Sequence, residues 1–281
     1  MSRQRVNRLT ILALSLVSLV VVVPIVFVLV YVIYHGIQAI SWEFLTQPPR
    51  NGLREGGIMP AIVGTIVLTF GTAIAAMPLG IAAAIYLAEY AGDTRLTRWV
   101  RLAIVNLAGV PSIVYGLFGL GAFVLFAGFG TSILAGSLTL GLLTLPVVIS
   151  TSEEAILSVP QQFRTVSMSM GASKWQTIRH QVLPHAQPGI ITGIILGLGR
   201  AAGETATILF TVAAVYLPQL PTSVFDQTMA LPYHLYVIAT QVPGMPLEIQ
   251  YGTALVLLMI VLSLTLMASI LRSRMRRRRD W

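Results

Sequence analysis

The chain has 281 residues, 56% of them apolar and only 10% charged, with a mean hydropathy of +0.82. A soluble domain carries about 25% charged residues, so an ordinary water-soluble globule is excluded, and the absence of cysteine excludes a disulfide framework and thiolate metal sites. The net charge of +8 does not imply nucleic acid, because the basic residues sit in short clusters at the ends of apolar runs, as membrane orientation requires.

No fully ionised residue occurs between Arg8 and Glu43, Glu55 and Glu89, Arg101 and Glu153, or Glu248 and Arg272. Runs of this length must satisfy their backbone internally in lipid. They define an all-α polytopic membrane protein with six expected transmembrane helices. Residues 1–34 form a basic tail and a first helix, 10–34. Its apolar run exceeds the core of a signal peptide and no small-x-small cleavage site follows, so it reads as a retained span. Residues 35–58, with Trp42, Pro48 and Pro49, form an extracytoplasmic loop with room for a short interfacial helix. The transmembrane core, 59–271, opens with span two at 60–86, bent by Pro78. A short loop at 90–101 holds Arg95, Arg98 and Arg101.

Span three is expected at 102–126 with Pro111 inside it, and Gly116, Gly119 and Gly121 allowing close helix approach. Span four follows at 133–150, then a polar loop at 151–187, span five at 188–216 and a proline-rich loop at 217–250. Span six, 251–271, leads into a basic tail, 272–281, suited to anionic lipid. Fifteen of the eighteen Lys and Arg residues fall on the side of the two termini, the 90–101 loop and the 151–187 loop. Arg50 and Arg54 fall on the other. That asymmetry places both termini and the long basic loop in the cytoplasm.

The 151–187 loop reads as two short helices. Ser158 is expected to cap the first, with Pro160 in its opening turn, and Gly171 to end it in a left-handed conformation. Ser173 caps the second, which Pro184 bounds. Phe163, Val166 and Met170 share a face, Trp175 and Ile178 add apolar bulk, and Arg164, Lys174 and Arg179 ring it. An apolar knob with a basic rim fits a groove on a partner or a lipid surface.

Span five carries Arg200 and, four residues on, Glu204, which on a continuous helix share one face. At ~1.5 Å per residue, Arg200 lies roughly 18 Å beyond Pro188, near mid-membrane. Two readings stand: a mutually satisfied pair that locks packing, or a charged station on a solute path. Arginine's fixed fork suits phosphate or carboxylate. Thr205 adds a hydroxyl, and Ser112 and Tyr115, flanking Pro111, are further candidates for the path. Glu153 and Glu154 lie at a helix end within reach of a loop arginine. The four histidines, His35, His180, His185 and His234, read as solvated or interfacial, with no metal expected. No G-x-x-x-x-G-K-[ST] stretch is present, so no nucleotide is bound through a P-loop.

With these residues in view, GASKWQTIRHQVLPHAQPGI at 171–190 resembles the signature loop of ABC importer permeases. Gly171 and Leu183-Pro184 stand at the family's spacing, but Thr165, Val166 and Ser167 occupy its Glu-Ala-Ala positions and Gln181 its Ile. GRAAGETA at 199–206, VPSIVYGLFGL at 110–120 and GIAAAIYLAEYA at 80–91 are similar to the phosphate-specific permeases, and GGIMPAIVGT at 56–65 favours the PstA-type branch. The resemblance implies a type I importer fold, in which the loop is a coupling helix seated in a cytosolic ATPase. It assigns coupling to Phe163, Arg164, Val166, Met170, Gly171, Ala172, Ser173, Trp175, Leu183 and Pro184. It implies a PstC-type sister permease, two copies of a PstB-type ATPase holding ATP and magnesium, and a PstS-type external phosphate-binding protein. This chain would then hold no cofactor of its own and would not be an enzyme.

Overall fold

A computed structural model describes residues 3–277; the last arginines of the tail, Arg278 and Arg279, lie outside the described residues. The first helix, α1 (Arg3–Gly36), is almost entirely exposed, and packs chiefly on the last helix, α11 (Leu247–Arg277). The rings of Tyr31 and Tyr251 meet at 5.5 Å. The 35–58 segment contains a short helix, α2 (Trp42–Thr46), capped by Ser41, and a two-stranded antiparallel hairpin, β1 (Pro49–Arg50) with β2 (Glu55–Gly56).

The core is α3 (Met59–Ile85), α6 (Ile133–Leu157) and α9 (Leu183–Ala202). α3 and α6 run parallel. A side chain at Gly71 would meet Ser137, at Gly141 it would meet Ala75, and at Gly80 it would meet Val148. Two prolines, Pro78 of α3 and Pro146 of α6, therefore stand at one level. α9 runs antiparallel to α6, with Gly189 facing Ala155, Gly193 facing Thr151 and Gly197 facing Val148 and Thr144. The absent side chains let these helices approach closely.

Apolar burial divides into two clusters. The outer one gathers Phe44, Ile58, Leu68, Leu140, Ile208 and Met229; the inner one gathers Ala84, Ile156, Val159, Val182, Ala186 and Ile190.

Among the described residues, five helices are long and apolar enough to cross a membrane, and six if a broken pair counts as one span. That pair corrects the reading of 90–126. The stretch 90–101 is not a loop: α4 (Arg95–Ala108) begins inside it, capped by Thr94. Span three is not continuous either. α4 meets α5 (Ser112–Gly119, continuing as a π-helical stretch, Leu120–Phe126) at 101°. Pro111 cannot donate to the Leu107 carbonyl, which instead accepts from Val110 N at 3.1 Å and from the Tyr115 hydroxyl at 2.9 Å. Gly116 lies against the Ala206 and Thr207 carbonyls and Gly119 against Thr139, whereas Gly121 faces open space.

In the 151–187 loop, α6 continues seven residues beyond the expected end, and Ser158 closes it rather than capping the next helix. That next helix, α7 (Gln161–Ser169), follows Pro160, which is its cap. Gly171 is left-handed, φ +86°, with nothing near its α-carbon. Ser173 caps α8 (Lys174–Thr177) in a reciprocal box with Gln176. Pro184 does not bound this helix. α8 runs through a π-helical stretch (Ile178–Val182) directly into α9; the wider turn absorbs the donor that proline lacks.

Span five ends early. α9 stops at Ala202, about 21 Å beyond Pro188, and Gly203 closes it. Residues 203–230 then take an irregular path, tied by Ser132 N to Thr211 O at 2.9 Å, Ala214 N to Thr228 O at 3.0 Å and Thr228 N to Val212 O at 3.3 Å. A further helix, α10 (Leu231–Thr240), lies within the proline-rich 217–250 segment.

Candidate functional site

Because α9 ends at Ala202, Arg200 stands in its last turn and Glu204 stands beyond it. The two are not on one helix face and form no ion pair; those among the described residues are Arg98–Asp93, Arg101–Glu153 and Arg164–Glu89. The expectation of a mutually satisfied Arg200–Glu204 pair is thereby corrected. Glu204 is half-buried and lines a small crevice with Thr65, Thr69, Ala201, Ala230 and Pro232. Arg200 is exposed. A cation at a helix C-terminus is favoured by the backbone dipole, which helps hold an arginine that has no carboxylate against it.

The chain after Arg200 folds against the start of α5. Thr207 donates to the Ser112 carbonyl at 3.2 Å. Tyr115 is buried and within electrostatic reach of Arg200. The structure thus brings Arg200, Tyr115 and the Ser112 backbone to one region. Thr205 is half-buried beside Glu204, and its carbonyl accepts from Leu209 N at 3.3 Å.

At the opposite end of α9, α7 and α8 present Val166 (63% exposed), Met170 (84%) and Trp175 (50%). Gly171, Ser173, Lys174 and Arg179 are exposed with them, and Ala172 is half-buried. An open groove of about 480 Å³ runs beside this knob, lined by Phe163, Val166, Ser167, Met170, Ala172 and Gln181. Phe163 is half-buried, its ring 4.7 Å from that of His185. Leu183 and Pro184 are half-buried at the base of α9. Ile178 is fully buried and adds nothing to the exposed knob. At the altered motif, Thr165 is exposed and donates to its own helix at Gln161 O, while Ser167 bonds the Thr177 hydroxyl at 2.9 Å and so ties α7 to α8.

Arg164 departs most from the sequence reading. It is not on the rim: it points inward and is buried. Its Nε and Nη2 donate to Glu89 Oε1 at 3.0 and 2.7 Å, Nη1 to Val159 O at 2.6 Å and Nη2 to Ile156 O at 2.9 Å. Glu89 went unnoticed in the sequence, where it is merely the first charge after span two. The only signal was its isolation at the end of an uncharged run. Glu153 does pair with an arginine, but with Arg101 of α4, at 2.7 Å, and not with one in a loop. His234 is also unlike the reading: it is buried in α10, and its Nδ1 has no partner.

A membrane-spanning helical core, a core helix that ends early beside an unpaired cation and an exposed apolar knob describe a transport permease. Residues 76–279 match the family of binding-protein-dependent transport system inner membrane components, and the chain belongs to it. It is thus a multi-pass protein of the inner membrane. The chain is 38% identical over 265 residues to the phosphate transport system permease protein PstA 1 of Mycobacterium tuberculosis (strain ATCC 25618 / H37Rv), covering 92% of this chain and 85% of that one. It is 33% identical to the probable ABC transporter permease protein YqgI of Bacillus subtilis, covering 86% of each. It is 32% identical to a probable PstA of Methanocaldococcus jannaschii, covering 88% and 86%. Among solved structures, a bacterial ABC transporter importing the acidic polysaccharide alginate superposes with a TM-score of 0.70 at 14% identity, over 96% of this chain and 98% of that one. An inward-facing MetNI methionine transporter gives 0.65 at 16%, over 78% and 95%. These two share the fold.

Proposed function

We propose that this chain is the permease subunit of an ATP-driven importer of inorganic phosphate, forming half of the translocation path. Relatives named PstA from a mycobacterium and an archaeon support the substrate. The observation that carries the mechanism is Arg200. It has no counter-charge against it among the described residues, and it sits about 18 Å along the helix from Pro188. A lone cation at such depth is tolerated where it faces a watery cavity. Its fork offers a desolvated phosphate two parallel hydrogen bonds, with Tyr115, Ser112 and Thr205 close to the same stretch. Glu204, held to the side, leaves the arginine free to bind and is near enough in sequence to weaken the grip for release.

The assembly we infer pairs this chain with a PstC-type permease, two PstB-type ATPases that hold ATP and magnesium, and a PstS-type binding protein at the outer mouth. Both termini lie in the cytoplasm. Val166, Met170 and Trp175, presented by the turn at Gly171, Ala172 and Ser173, seat in the ATPase, and α8 passes the stroke into α9 through Leu183 and Pro184.

Replacing Arg200 with Ala in the assembled complex should cut phosphate uptake by about tenfold or more, the equivalent of a charge-assisted hydrogen bond at ~1.5–3 kcal/mol. Arg200→Lys should keep part of it. Unchanged uptake by an Arg200→Ala complex that still co-purifies with its ATPase would refute the role.

A further inference from the structure

Three basic side chains from three different elements converge on the last turn of span two, the π-helical stretch Tyr86–Tyr90. Arg164 of α7 binds the Glu89 carboxylate, with the two side chains only 10% and 7% exposed. Arg101 of α4 donates to the Leu87 carbonyl at 3.1 Å while pairing with Glu153 of α6. Lys174 of α8 places its ammonium 4.8 Å from the Tyr90 ring centre. Arg164 also holds the end of α6 through the Ile156 and Val159 carbonyls, and the inner apolar cluster packs Ala84 against Ile156 and Val182.

We propose that Glu89 and Arg164 are positioning residues for transport. They fasten the docking helices to span two, so that a push on α7 moves the ends of α3, α6 and α9 as one body. The chemistry suits the task. Arginine presents its donors in a fixed plane, and here that plane spans a carboxylate of one helix and two carbonyls of another. A hydrophobic contact would let α7 slide; a buried, multiply bonded guanidinium does not. α8 continues covalently into α9 and α6 runs into α7 through residues 158–160, but α3 has no neighbour in the chain that links it to α7. Without the pair, the ATPase stroke reaches span five and is lost to span two. The inference rests on the permease reading above.

The test uses the complete importer with its ATPase and binding protein in liposomes, reading ATP hydrolysis and phosphate uptake together. Glu89→Gln keeps the shape and removes the charge. It should leave hydrolysis within about twofold of the parent while uptake falls about tenfold, so that more ATP is spent per phosphate. Arg164→Lys, which keeps a charge but loses the fork, should fall between. Uptake and hydrolysis that drop in proportion, or neither dropping, overturn the proposal.

Should Glu89→Gln fail to assemble, the parent pair can be followed directly. Spin labels at Gly92→Cys and Gln161→Cys, both exposed, go into a chain with no cysteine of its own. Their separation should hold between nucleotide-free and ATP-trapped complexes, and a change of several ångströms sinks the latch. A parent complex that hydrolyses ATP without moving phosphate brings down the permease reading itself, and the latch with it. A coupled parent with unaltered variants removes the latch alone.

Discussion

His234 shows how far a single buried group departs from its sequence reading. It lies in α10, outside the helices long enough to span the membrane, and burial holds its imidazole down to about 4, against 6.5 in the open chain. The folded protein therefore keeps it neutral at neutral pH, while the unfolded chain takes up a proton near 6.5. Its contribution to stability is complete above about 6.5 and is lost as pH falls from there towards 4, on the order of 3 kcal/mol in total. Thermal melting of the detergent-solubilised chain should drop across that window more steeply than for His234→Leu. Parallel curves for the two proteins contradict the assignment. Arg200 and Arg164 teach the same lesson in reverse. Both were legible as charges, Arg200 within an apolar span and Arg164 on the rim of a polar loop, but the direction each points was not. Arg164's partner lies 75 residues away, and no local spacing reports that.

At the scale of elements, apolar runs and cap residues made the helices of the core and the Gly171 turn readable. The breaks were harder. The 203–216 stretch is as apolar as a helix, and only Gly203 hints at an end. What stops α9 is tertiary, since the backbone after it is satisfied by Ser132, Thr228 and Ala213 neighbours from other parts of the chain. At Pro111 the signal was present in Gly109-Val110-Pro111, and a bend of 101° rather than a kink depends on Tyr115 reaching the freed carbonyl. Close packing at this scale gives a clear expectation. A β-carbon at Gly64 would strike the Met229 carbonyl and the Thr228 hydroxyl. Backbone cannot rotate away as a side chain can. Gly64→Ala should therefore destabilise the fold by about 1–3 kcal/mol, the usual cost of overpacking, seen as a lower melting temperature. A melting temperature equal to the parent's means that α3 and the 228–230 segment are not in contact.

For the whole molecule, the topology proposed above puts both termini in the cytoplasm, the side to which the charge asymmetry assigns them. A fluorescent protein fused after residue 281 should fold and fluoresce, and a thiol placed at Ser223, exposed in the 217–230 segment, should react with a membrane-impermeant reagent in intact cells. Labelling only after lysis inverts the topology.

Pro78 and Pro146 share one depth, and Gly197 of α9 faces that same part of α6. Each proline leaves a rung missing from its helix ladder, and the level of the missing rungs falls within a turn of Arg200. A beam notched there swings about the notch. On the proposed function, the two mouths then travel most while the guanidinium stays almost still, a fixed hand for the solute between doors that change places.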